Sequence, residues 1–115
     1  MYSLITDNGA CSVNGELVTT CDISGNVSLS ECEADCTTHE PCVGYFYFSR
    51  TGPLAEHCFL IPSTHSCPTG YSLVVRSVTA ATSNDLEAGD ISGEGVCYGK
   101  NLGNINLLIN FQFNV

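Results

Sequence analysis

Apolar and polar positions alternate most regularly near the C-terminal end of the chain. Ile105, Leu107, Ile109, Phe111, Phe113 and Val115 alternate with Asn104, Asn106, Asn110, Gln112 and Asn114, and only Leu108 falls out of step. A period of two puts one set of side chains on each face of an extended strand. The spacing therefore predicts a β-strand with one greasy and one amide-rich face. Upstream, the apolar runs are shorter. Leu17-Val18-Thr19-Thr20 has strand character after an Asn14-Gly15 turn signal. Residues 43–48 are aromatic on both faces, as a strand covered on both sides would be. Residues 57–61 form the predicted return strand after a turn at 51–53. Residues 62–70 read as a loop, 71–79 as a further strand, 80–95 as a long acidic loop and 95–98 as a short strand.

One helix interrupts this pattern. Ser28 and Glu31 stand three apart before a helical stretch. Ser28 can accept from the Glu31 backbone N–H while the Glu31 carboxylate reaches back. Val27 and Cys32 sit where a hydrophobic staple would. Glu31 and Glu33 suit the positive end of the helix dipole. The helix is expected over residues 29–39, with Pro41 ending it.

Composition narrows the class. The 115 residues suit a single domain, and they include 8 cysteines. No two cysteines have C-x-x-C spacing, so zinc knuckles and thioredoxin-type redox pairs are disfavoured. An even set at this density implies four disulfides and an oxidising, secreted or cell-surface setting. Residues 1–7 do not resemble a signal peptide, so secretion would require a leader outside this sequence. No apolar run is long enough to span a membrane. The net charge is −9, from 12 carboxylates against 3 basic residues. Such a field repels nucleic acid and heparin.

The cysteines and their neighbours carry a resemblance. Ser28-Leu29-x-x-Cys32-x-x-x-Cys36, Cys42-Val43-Gly44-Tyr45-Phe46-Tyr47 and Cys58-Phe59-Leu60 together resemble the PAN/apple pattern, in which a helix with cysteines four apart precedes a C-x-G-[FY]-x-[YF] strand and a C-x-L strand. Cys11 resembles the family's first cysteine, and Cys97-Tyr98-Gly99-Lys100 its close. Cys21, Cys67 and the tail are departures. The resemblance implies an α+β fold: an antiparallel sheet with one helix packed across it, stapled by disulfides. Residues 1–101 would be the domain and 102–115 a C-terminal strand extension. The helix geometry agrees. Cβ atoms one helical turn apart are about 5–6 Å from each other, too far for a relaxed disulfide. Cys32 and Cys36 should therefore reach separate partners. The family pattern supplies them, Cys32–Cys58 and Cys36–Cys42. Closure of the domain ends as in full apple modules implies Cys11–Cys97. Cys21–Cys67 is then the remaining pair, one outcome among the 105 pairings that eight cysteines allow.

Candidate chemistry is sparse. There is no G-x-S-x-G elbow, no phosphate-cradling glycine loop and no unpaired thiol to act as nucleophile. His39, His57 and His65 fall in different predicted elements. No catalytic residue, metal ligand or cofactor is expected. The acidic stretch 85–90 with Glu94 does not follow EF-hand spacing and is read as a solvated loop. Tyr45, Phe46, Tyr47, Phe48 and Phe59 are read as core, with a sugar-stacking platform as the alternative. Asn26-Val27-Ser28 is a glycosylation sequon, and residues 77–83 offer hydroxyls for O-glycans.

The expected function is that of a non-enzymatic extracellular structural or interaction module. It would self-assemble, into filaments if the contact repeats, through Ile105, Leu107, Ile109, Phe111, Phe113 and Val115. The alternative is a monomeric adhesion module that binds carbohydrate or protein. Partners are then copies of the chain, other extracellular proteins or glycans, with no nucleic acid and no membrane span.

Overall fold

The computed structural model describes residues 2–7, 9–23, 25–48, 56–89 and 95–101. The strand-patterned tail, 102–115, and the turn predicted at 51–53 lie outside the described residues. Eight strands and one α-helix follow in chain order: β1 (Tyr2–Thr6), β2 (Cys11–Ser12), β3 (Thr20–Ile23), α1 (Leu29–Thr38), β4 (Cys42–Phe48), β5 (His57–Pro62), β6 (Tyr71–Val74), β7 (Glu87–Ala88) and β8 (Gly95–Lys100). Six of them form one antiparallel sheet in the order β1-β8-β4-β5-β3-β6. The short strands β2 and β7 pair with each other in a second layer. The fold is thus α+β, with one helix on an antiparallel sheet and four disulfides.

The helix forms where its local signals place it. The Ser28 hydroxyl accepts from the Glu31 N–H at 3.1 Å, and the Ser28 N–H donates to the Glu31 carboxylate at 2.9 Å. Those bonds hold the Glu31 carboxyl below its ordinary pKa. His39 is the C-cap. The helix carries little apolar surface, and its only buried side chains are Cys32 and Cys36. A ten-residue helix of this kind is not stable alone.

What holds it is covalent and polar. Cys32 joins Cys58 on β5, and Cys36 joins Cys42 at the start of β4. Three tyrosine hydroxyls reach the helix from the sheet. Tyr45 donates to the Glu33 carboxylate and Tyr71 to the Asp35 carboxylate, each at 2.7 Å, while Tyr2 bonds with Thr37 at 2.8 Å. Tyr47 donates to the Val27 carbonyl beside the N-cap.

Strand β4 is buried along its whole length. Tyr45 and Tyr47 face the helix with Cys58 and Leu60. Phe46 and Phe48 face the opposite side with Phe59 and Ile61. This is the two-sided cover that its aromatic pattern predicts. An irregularity in register between Cys42 and Gly44 breaks the alternation. An extra residue there turns Cys42 to the helix side, where Cys36 meets it, instead of leaving it on the side of Phe46 and Phe48.

Three sequence expectations need correction. The strand predicted over 71–79 stops at Val74. Beyond it the Arg76 N–H donates to the Thr19 hydroxyl, not to a backbone carbonyl. The chain then crosses behind the sheet, where Val78 bridges Val18. For the same reason the strand expected at 17–20 begins only at Thr20, with Val18 held in that bridge. Residues 80–95 are not simply a loop. Thr82 caps a 3-10 turn over Ser83–Asp85, Leu86 is buried, and β7 follows. The signal for that turn was Thr82 followed three residues later by Asp85, whose carboxylate accepts from the Ala81 and Thr82 N–H groups.

Candidate functional site

Behind the sheet, on the face away from the helix, β2, the turn after it and the Val18–Val78 bridge form a cover. Asn14 and Gly15, at φ 51° and 76°, make the turn, and Val13 and Glu16 exchange backbone hydrogen bonds across it. Positive φ at both central residues is what a type I′ hairpin requires, which is why Asn-Gly suits it. The Cys11–Cys97 disulfide fastens this cover to the middle of the sheet.

The cover does not close on the sheet completely. A half-open cavity of about 310 Å³ remains, lined mostly by apolar side chains. Its floor is Phe46, Phe48 and Phe59. Phe46 and Phe59 stack with centroids 4.7 Å apart, and Phe48 meets both edge-on at 5.9 and 5.7 Å. Val18 and Leu17 stand over the floor, and Leu17 is 63 % exposed. Asp22 and Arg76 complete the lining, with a 3.7 Å ion pair between them. The guanidinium also donates to the Val18 carbonyl at 3.3 Å and to the Thr20 hydroxyl. Arg76 is therefore fixed, and the pair brings no net charge to the pocket. A smaller cavity of about 100 Å³ lies beside it, between the Gly15 turn and Ala88-Gly89.

The pocket suits an apolar or aromatic group, with polar partners along one side. Among the described residues no cluster of three His, Cys, Asp or Glu side chains could hold a metal ion. Asp85 and Glu87 are engaged with backbone amides, Glu87 accepting from the Gly15 N–H at 2.9 Å. Asp90 and Glu94 lie outside the described residues. The three histidines are dispersed. His39 bonds with the Ser66 carbonyl, His65 with the Thr79 hydroxyl, and the His57 ring stacks near Phe59.

The structure brings together four cysteine pairs: Cys11–Cys97, Cys21–Cys67, Cys32–Cys58 and Cys36–Cys42, with Cα atoms 5.2 to 5.6 Å apart. No described cysteine is free. Asn26 is exposed on the approach to the helix cap. The five aromatics weighed as a sugar platform are buried, and they divide between the two faces of the sheet. They do not form one surface. The pocket itself was not foreseen, because Ala10, Leu17, Asp22 and Arg76 come from separate segments with no shared motif. No helix of the described residues is long and apolar enough to cross a membrane. Neither a family model, nor a curated protein, nor a solved structure matches the chain.

Proposed function

We propose that this chain is an extracellular, non-enzymatic structural module of PAN/apple-like architecture. It assembles with copies of itself through a strand formed by residues 104–115, and head-to-tail repetition of the contact builds filaments. The disulfides fit an oxidising compartment. The observation that carries the assembly reading is the position of β8. It lies inside the sheet, flanked by β1 on one side and β4 on the other. A segment continuing from its end therefore finds both positions directly beside β8 already filled. The edges left open among the described residues are β1 and β6. Six apolar side chains on one face of the tail need cover, and no proline or lysine within 104–115 blunts the strand. Pairing with another copy covers that row and satisfies the backbone at once. A contact between unlike surfaces need not close, and an unclosed one propagates.

Deletion of residues 102–115 tests this reading. The full chain is expected to sediment as oligomers or filaments, and the truncated chain as a monomer with its four disulfides intact. A full chain that remains monomeric at high concentration would exclude self-assembly. On the same reading, Asn26 carries N-linked glycan when the chain is secreted from a eukaryotic cell. A native mass equal to that of the bare polypeptide would exclude both this and O-glycans at 77–83.

A further inference from the structure

The pocket behind the sheet and the tail that follows β8 in sequence are complementary in chemistry, and the pocket lies at the end of β8 away from the tail. We infer that the pocket receives the aromatic part of the tail, Phe111 and Phe113, from a second copy. This rests on the self-assembly reading and names its acceptor.

Three observations select this occupant. The first is chemistry. The floor offers three phenylalanine rings already arranged in stacked and edge-on pairs. A further aromatic ring fits such a cluster at centroid distances of about 4.5–7 Å. A cavity of about 310 Å³ has room for a phenyl group.

The second is charge. Each copy has a net charge of −9, so copies repel at long range. Contact between them is easiest where neither surface carries net charge. The tail 102–115 contains no Asp, Glu, Lys or Arg, and the single carboxylate of the pocket is paired with Arg76.

The third is position. The pocket lies at the Phe48 end of β4, where Gly95 is the register partner that begins β8. The tail departs from the other end of β8, past Lys100 and Asn101. The direct return to its own pocket runs along the rear of β8. That route is occupied, because Ser83 packs behind Gly99 and Leu86 behind Gly44. Phe111 is ten residues beyond Asn101, a reach of about 33 Å at the strand rise of about 3.3 Å per residue. That is enough to enter a neighbouring molecule.

The test uses the full chain with p-benzoylphenylalanine in place of Phe113. Isotopically light and heavy copies are mixed, irradiated and digested. The expected product is a light–heavy cross-link to the peptide that contains Leu17 and Val18. A second variant, Leu17→Trp, fills the pocket mouth from an exposed position. It should reduce the sedimenting fraction at least tenfold. Leu4→Trp, also exposed but on the β1 edge, should not. Cross-links to that peptide within one copy would overturn the inference. So would persistent assembly whose cross-links fall elsewhere, or assembly lost in Leu4→Trp but not in Leu17→Trp; in these two cases self-association stands and only the acceptor is wrong. A full chain that never associates removes both readings.

Discussion

A side chain at residue 44 would have nowhere to go. A Cβ there would lie 2.5 Å from the Leu86 side chain and 2.6 Å from the Tyr98 carbonyl oxygen. The carbonyl belongs to the sheet backbone and cannot move aside cheaply. Gly44→Ala should therefore destabilise the fold by about 1–3 kcal/mol, the usual cost of overpacking. Gly25→Ala, with open space around its Cβ position, should change stability by less than about 1 kcal/mol. Denaturant midpoints of the two variants check the contrast. The tyrosines give a second prediction at this scale. Burial, with Glu33 beside Tyr45 and Asp35 beside Tyr71, raises both phenols well above their ordinary pKa. Burial raises Tyr2 and Tyr47 as well. A group whose folded pKa exceeds its unfolded value gives stability that is intact below the unfolded pKa, about 10. That stability is lost as pH rises from there through the folded values. Tyrosinate absorbance should therefore lag in the native chain relative to the chain in concentrated guanidinium. Superimposable titration curves would contradict the packing of these hydroxyls.

Disulfides act at the scale of elements, and here they hold three layers together. Cys32–Cys58 and Cys36–Cys42 fasten the helix to β5 and β4, and Cys11–Cys97 fastens the rear cover to β8. They close loops of very different size, with sequence separations of 86 for Cys11–Cys97 and 6 for Cys36–Cys42. On chain entropy alone, the long loop is worth about 4.6 kcal/mol and the short one about 2.2 kcal/mol. Replacing each pair with alanines should preserve that order in the loss of unfolding free energy. The helix could be read from the chain because its signals are local. Ser28, Glu31 and Pro41 act within a few residues of themselves. The early end of β6 could not, because it depends on the Thr19 hydroxyl meeting the Arg76 N–H across 57 positions. The two-sided cover of β4 was visible in its aromatics, whereas the turn that puts Cys42 on the helix side depends on pairing with β5. The pocket was hidden for the same reason, since its lining converges only after the chain crosses behind the sheet.

At the scale of the whole molecule, charge sets the conditions for contact. With 12 carboxylates against 3 basic residues, two copies approaching each other do work against a negative field. Arg76, one of those basic residues, is already paired with Asp22. Lys100 is partly buried, and its ammonium donates to the His39 carbonyl at 3.4 Å. Both basic side chains among the described residues are thus already engaged within the chain. Proposed assembly through the uncharged tail must rely on apolar burial and strand pairing, which salt does not screen, while the opposing repulsion is screened. The screening length falls from about 30 Å at about 10 mM salt to about 8 Å at about 150 mM. Association should accordingly strengthen over that range, the reverse of an interface held by ion pairs. Sedimentation velocity at fixed protein concentration measures it directly. If the associated fraction falls as salt rises, the copies are held together by opposite charges, and the uncharged tail is not what joins them.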